Sequence, residues 1–260
     1  MPSVLYECKG PVAWITLNRP EAMNAFDPEM LQLLGQHLKE FDEDDALRVA
    51  ILTGAGDKAF CAGADLKKYS KRDAVGINEL WSTERQFFRP GGQGLSVRKP
   101  VIAAINGYCL AGGQEIALGC DIRIASNTAA FGAPEVRWSI IHGYGALRLP
   151  RTVSLSVAME MLLTGERIDA ARAYEIGLIS RVVRPEELRA SAEALANRIS
   201  ENGPLAVKIT KELALRGLYQ QPDEAIAYRN AVSALIRQSE DAKEGPRAFA
   251  EKRKPQFKGR

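Results

Sequence analysis

Two short stretches of small residues stand out as places where this chain can do chemistry. AFCAGADLK begins at Ala59 and CLAGGQE begins at Cys109. Each reads as the end of a buried strand that passes through Gly and Ala and opens a helix. Ala62, Gly63 and Ala64 in the first, and Ala111, Gly112 and Gly113 in the second, let a ligand approach the main chain. N–H groups at a helix start have no intrahelical partner and carry the positive end of the helix dipole behind them. Two such donors converging on one point would stabilise a developing oxyanion, and losing one donor from such a hole costs about 3–4 kcal/mol of barrier. Either junction alone reads equally well as a tight turn that needs glycine for packing. GAGDKAF starts as G-x-G after a strand but lacks the third glycine of a dinucleotide loop.

Acid–base groups lie close by in sequence. Glu115 follows Gly112 by three residues, in the first turn of the expected helix. The helix dipole favours a carboxylate there, and the functional alternative is a general base facing the same ligand. Glu135, in FGAPEV, follows a proline on an expected loop, where an isolated glutamate is usually solvated. Were both to meet at one site, their surroundings could push their pKa values apart for paired acid–base work. His142 is either a packed or partly exposed loop histidine, or an added acid–base group or substrate hydrogen bonder at the site. Only His37 and His142 are present, which excludes a multi-histidine metal site. Cys8, Cys61, Cys109 and Cys120 form no CxxC pair and read as small buried hydrophobes in a reducing compartment.

These residues need a scaffold, and the apolar pattern supplies one. Val4, Tyr6 and Cys8, then Val12, Trp14 and Thr16, alternate around Lys9-Gly10-Pro11 as a hairpin does. Asp27 caps a helix with Pro28 at its first position and Leu31, Leu34, Leu38 and Phe41 on its apolar face. Val49–Thr53, Val101–Ile105 and Ile122–Ala125 are continuous apolar runs, as expected of strands buried on both faces. Residues 54–64 read as a loop, Pro90-Gly91-Gly92 as a mobile loop, and NGYCLAGGQEIALGCD as a turn followed by a helix from Gly112 or Gly113. Beyond Ser154 the pattern reads as helices, broken at Asp169, Pro185, Gly203-Pro204 and Pro222-Asp223. Interleaved strands and helices followed by helices predict a layered α/β core with a helical C-terminal part.

Composition narrows the function classes. The chain has 260 residues, 46% hydrophobic and 26% charged, which fits a globular protein able to bury a large core. A net charge of +3 is too small for a dedicated nucleic-acid binder. MPSVLYECKG has no basic region followed by an apolar run, and no apolar stretch reaches membrane-spanning length, so neither export nor a membrane is expected. The basic EKRKPQFKGR at the C-terminus reads from composition as a solvated tail.

NRPEAMNAF, KAFCAGADLK, NGYCLAGGQEIALGCD and FGAPEVRWSIIHGYGALRLPR, in that order, resemble the signature regions of the crotonase (enoyl-CoA hydratase/isomerase) superfamily. LLTGERIDAARAYEIGLISRVV and EGPRAFAEKRKPQF extend the resemblance over almost the whole chain. It implies an α/β fold: a crotonase-like spiral of ββα units over residues 1–200 carrying the acyl-CoA site, and a helical trimerisation region over 201–260. It implies a cytoplasmic homotrimer or hexamer acting on coenzyme A thioesters with no metal or redox cofactor. Carried over by motif, the oxyanion hole falls to the N–H groups of Ala64 and Gly112, and the two hydratase glutamates are Glu115 and Glu135. The backbone of Ala22 and Met23, with Ala62, Asp65 and Leu66, falls where the adenine end of coenzyme A is held, and Lys67 at its rim. Phe249 and Lys252 match positions that reach coenzyme A across a subunit boundary. Trp81, Phe87, Phe88 and Trp138 either line an aromatic acyl pocket or belong to the core.

The expected reaction is reversible hydration of a 2-enoyl-CoA. The chain departs from the hydratase pattern at IIHGYGALRLP: hydratases usually have a proline where His142 stands and one residue more in the loop. That departure motivates alternatives on the same oxyanion hole, namely isomerisation, thioester hydrolysis, C–C cleavage or dehydration of a cyclic acyl-CoA. A non-catalytic RNA-binding relative is the rival of a different class. The near-balanced charge and lack of an aromatic-interleaved basic patch speak against it.

Overall fold

The computed structural model describes residues 1–66, 88 and 94–260. Among the described residues, ten strands form two sheets. Strands β1 (Val4–Lys9) and β2 (Val12–Leu17) are the expected hairpin, turned at Gly10-Pro11, with Val4 opposite Leu17. The larger sheet continues through β3 (Val49–Gly54), β5 (Val101–Ile105), β7 (Ile122–Ser126) and β10 (Arg181–Val183), in the order β1-β2-β3-β5-β7-β10. All pairings after the hairpin are parallel. The smaller sheet runs β4 (Ala59–Cys61), β6 (Tyr108–Leu110), β8 (Ala130–Gly132), β9 (Arg167–Asp169). Each central strand of the large sheet is thus followed by a short strand of the small one, β3 by β4, β5 by β6, β7 by β8.

Period-two alternation decides which core each strand residue joins. Ile15, Leu52, Ala103 and Ala125 face a core shared with Phe60, Cys109 and Phe131 of the small sheet. Trp14, Ile51, Ile102 and Ile124 face the opposite way, against Leu188, Ala192 and Ala196 of the helix Leu188–Ser200. Both faces of the large sheet are covered, which is why its strands read as unbroken apolar runs. Helix α1 (Pro28–Glu43) starts as expected, with Asp27 accepting from the Met30 N–H at 2.9 Å, and buries Leu31, Leu34, Leu38 and Phe41.

Five readings of the sequence change. The stretch 54–64 is not all loop, because it contains β4, and NGYCL is not simply a turn, because it contains β6. Strands β9 and β10 lie beyond Ser154, where helices alone were expected. All four are three residues long, too short to display a period. Cys61, Cys109 and Cys120 are buried, but Cys8 on the edge strand β1 is exposed. The basic C-terminus is not a free solvated tail. It folds back on the last helix, Glu240–Ala250: Arg253 pairs with Glu244, the Gln256 N–H donates to Glu244, and the N–H groups of Lys258 and Gly259 donate to Asp241.

The helices Pro204–Gly217, Pro222–Ile236 and Glu240–Ala250 make up the helical C-terminal part. Among the described residues, no helix is long and apolar enough to cross a membrane.

Candidate active site

The two Gly/Ala junctions meet. Phe26 pairs with Ala64 in a parallel bridge: the Phe26 N–H donates to Gly63 O and the Asp65 N–H to Phe26 O, both at 2.9 Å. The N–H of Ala64 is thereby turned away from the bridge. Gly112 opens helix α2 (Gly112–Gly119), where the first N–H groups have no intrahelical acceptor. Among the described residues neither N–H donates to a protein acceptor. A Cβ on Gly63 would stand 2.7 Å from Ala111 Cβ and 3.4 Å from Gly112 N, so the junctions touch at these residues. Glycine is required on both sides. Gly63 has φ +99°, and a Cβ on Gly112 would stand 2.5 Å from the Phe26 ring. Ala111, which caps α2, sits at φ 52°, ψ −134° although it is not glycine, and is anchored by its N–H to Gly132 O at 2.9 Å. Such backbone strain is of order 1–3 kcal/mol and gathers at functional sites.

Beside this junction lies a buried acid–base cluster. Glu115 projects from the first turn of α2 and is 4% exposed. Its Oε1 accepts from the Gly145 N–H at 2.9 Å. Glu135 sits in a 3-10 turn, Pro134–Trp138, rather than an open loop. Its side chain is only 13% exposed, against the expectation of a solvated residue. His142 caps the short helix α3 (Gly143–Arg148) and is buried. Its Nδ1 donates to Glu135 Oε1 at 2.7 Å and lies 3.8 Å from Glu115 Oε1. One imidazole nitrogen therefore faces both carboxylates. Burial pushes the Glu115 carboxyl above the ordinary carboxylate value. His142 and the Gly145 N–H oppose that rise, and the neighbouring Glu135 adds to it. Glu135 Oε2 is buried without a hydrogen-bond partner. The arrangement offers two outward N–H groups and two carboxylates in different surroundings, the equipment for moving protons next to a stabilised oxyanion.

A second cluster gathers the residues expected at the adenine end of coenzyme A. Ala22 ends a 3-10 turn, and Met23 and Asn24 follow in the left-handed region at φ 54° and 52°. The Ala62 N–H donates to Met23 O at 3.1 Å. Arg19 bonds Asp65 Oδ2 at 2.9 Å and Ala25 O at 2.6 Å, and the Asn24 amide ties the turn to Ala59 O at 2.7 Å. Ala22, Met23, Ala62 and Asp65 are thus brought together, with Leu66 half-exposed beside them.

Lys67, Trp81, Phe87 and the Pro90-Gly91-Gly92 loop lie outside the described residues. Phe88 stacks on Tyr144 with ring centroids 3.8 Å apart, while Trp138 is largely exposed. Phe249 is exposed near the end of the last helix, and Lys252 follows it. Among the described residues no hydrogen bond or ion pair joins either of them to the coenzyme A cluster. Burial pushes the Cys61 thiol up to about 12, which suits an inert core thiol rather than a nucleophile. Sequence reasoning missed Gly145, whose N–H holds Glu115. Its only signal was the GYG that follows His142 in the shortened loop. It also missed Asn24 and Arg19, whose role depends on contacts 31 to 46 residues away.

The family model for enoyl-CoA hydratase/isomerase matches residues 7–260. An (E)-benzylidenesuccinyl-CoA hydratase of Thauera aromatica is 44% identical over 260 residues, covering all of both chains. A short-chain-enoyl-CoA hydratase of Clostridium acetobutylicum is 40% identical over 99% of this chain and 98% of its own. Among solved structures, an enoyl-CoA hydratase from Bacillus anthracis superposes with a TM-score of 0.93 at 36% identity, covering 99% of this chain and all of that one. One from Mycobacterium tuberculosis H37Rv superposes with a TM-score of 0.91 at 40% identity, covering all of both.

Proposed function

The chain belongs to the enoyl-CoA hydratase/isomerase family, and on that premise we propose that it adds water to a 2-enoyl-CoA, or removes it from a 3-hydroxyacyl-CoA. Its fold is the crotonase-like one, and it is a hydro-lyase of the enoyl-CoA hydratase type. The observation that carries the specific reading is the burial of Glu115 and Glu135 together, beside the junction of Gly63 with Gly112.

In this reading the N–H groups of Ala64 and Gly112 hold the thioester oxygen and stabilise its enolate form. Water adds to the β carbon as its O–H bond breaks and a glutamate takes the proton. The other glutamate delivers a proton to the α carbon. Ala22, Met23, Ala62, Asp65 and Leu66 hold the adenine end of coenzyme A, with Lys67 at the rim. Phe249 and Lys252 reach coenzyme A from a neighbouring protomer of a trimer or a dimer of trimers. Coenzyme A arrives as part of the substrate, and no resident cofactor or metal takes part. The exposure of Phe249 leaves it open to a neighbouring protomer, in keeping with the protomer reading.

An assay of hydration on short straight-chain enoyl-CoA thioesters tests the reading. Glu115→Gln and Glu135→Gln are each expected to lower kcat by about 10²–10⁴. Full activity in both variants overturns it. A second reading, a specialised acyl group on the same machinery, is favoured by the His142 loop and by the 44% identity to a benzylidenesuccinyl-CoA hydratase. Product analysis over straight-chain, branched and aryl-substituted enoyl-CoA thioesters separates the two.

A further inference from the structure

The two glutamates of this site are not held by separate parts of the fold. Both are fixed by the same short segment, residues 142–145, where the chain departs from the hydratase pattern. The Gly145 N–H takes Glu115 Oε1, and His142 Nδ1 takes Glu135 Oε1. The ring has room only because residue 145 is glycine: a Cβ there would stand 1.9 Å from His142 Nε2 and 2.1 Å from Cδ2. The Nε2–Cδ2 edge of the imidazole is therefore laid against the Gly145 backbone, and the Nδ1 edge is turned to the carboxylates. This geometry gives the ring a partner to hold rather than a substrate to touch.

Resting on the hydratase reading above, we infer that His142 is a positioning residue that fixes the division of labour between the glutamates. It donates Nδ1–H to Glu135 Oε1, fixes the orientation of that side chain, and leaves Oε2 to accept the proton of water. A hydrogen bond given to a carboxylate favours its charged form and orients it. Glu135 Oε2 is the buried oxygen without a protein partner. Glu115, the other member, faces Gly112, its Oε2 3.9 Å from the place of a Cβ on that residue. The step balances. The water O–H bond breaks, its proton goes to Glu135 Oε2, and its oxygen bonds the β carbon. The displaced π electrons move to the thioester oxygen as an enolate. Collapse of the enolate forms the α C–H bond with the proton of Glu115, which is replaced from Glu135 before the next turnover. Glu115 from α2 and Glu135 from the 3-10 turn both face the imidazole. Arg137 of that turn is directed onto Thr164 O at 3.1 Å.

Steady-state kinetics against pH on His142→Ala and His142→Asn test the inference. Asn keeps a side-chain N–H near the position of Nδ1. His142→Ala is expected to lose about 10–100-fold in kcat with little change in KM, the size of one hydrogen bond to a charged group. His142→Asn should restore most of that loss. An Ala variant as fast as the parent with the same profile overturns the inference. So does an Asn variant as slow as Ala when both melt like the parent. If the parent hydrates no enoyl-CoA, the hydratase reading fails, and proton NMR still decides the role of His142. With His37→Asn removing the only other imidazole, a downfield Nδ1–H signal that vanishes in Glu135→Gln supports the hold on Glu135. Absence of that signal from the parent overturns it.

Discussion

The site rests on individual atoms that cannot be exchanged. Gly145 serves both glutamates at once: its N–H holds Glu115, and its missing side chain admits the His142 ring. Gly145→Ala should therefore lower kcat by at least tenfold in the parent yet have little further effect in a His142→Ala background. A double-mutant cycle on kcat/KM measures that coupling, and simple additivity would break the link between the two residues. Glu115 gives a second test. Its folded carboxyl binds a proton more tightly than an unfolded one, because burial raises it. A carboxyl raised on folding favours the native state at low pH, and its contribution is lost as pH rises from the unfolded value through the folded one. Glu115→Gln, which stays neutral and still accepts from Gly145, should melt above the parent at pH 8, with the gap closing towards pH 4. Equal melting at both values would show that the buried charge is not felt. Types and spacing exposed Glu115 and the glycines of both junctions, but the pairing of Glu135 with His142 was not legible. It depends on a turn whose path is set by contacts between side chains distant in sequence.

At the scale of elements, the site depends on two strand ends arriving side by side. Gly63 follows β4 and Gly112 follows β6, and these strands pair in parallel with Cys61 opposite Cys109. The pairing brings the donor-bearing turns together, and φ at Gly63 and Ala111 aims them. Two substitutions should act in opposite directions. Gly63→Ala places a Cβ 2.7 Å from Ala111 Cβ at a φ of +99°, so it should lower both the melting temperature and kcat. Ala111→Gly relieves a strain of about 1–3 kcal/mol, partly offset by about 0.5–1 kcal/mol of backbone entropy, and should melt at or above the parent. Thermal melts and kcat on both variants check this, and a marked loss of stability in Ala111→Gly would mean that the methyl group packs rather than strains. Long elements were legible because five to sixteen residues display a pattern: β1, β2, β3, β5, β7 and α1 stand where alternation, unbroken apolar runs and capping put them. The whole small sheet was missed. Its three-residue strands carry no period of their own and exist because the large sheet presents them to one another.

Over the whole molecule, the C-terminal ten residues close a structure whose site lies in the first 150. Composition describes them as a basic tail, and only the resemblance gave them a task. The folded chain uses Asp241 and Glu244 as anchors, and the carbonyl of Phe257 accepts from Arg48 at 3.3 Å, joining the tail to the chain just before β3. Arg253, the Gln256 N–H and Arg247 hold the Glu244 carboxyl well below the usual carboxylate range. A carboxyl lowered on folding contributes stability above its unfolded value, near 4.3 for glutamate, and the contribution is lost as pH falls towards the folded value. Glu244→Gln should therefore melt below the parent at pH 7, and the difference should shrink below pH ~4. If Phe249 and Lys252 reach coenzyme A across a subunit boundary, loosening the anchor should also raise KM for the acyl-CoA while leaving kcat nearly unchanged. Uniform binding is lost when KM rises alone, whereas damage to the Glu115–Glu135 pair would lower kcat. A Glu244→Gln variant with normal melting and a depressed kcat would place the tail in the catalytic step instead and remove it from substrate holding.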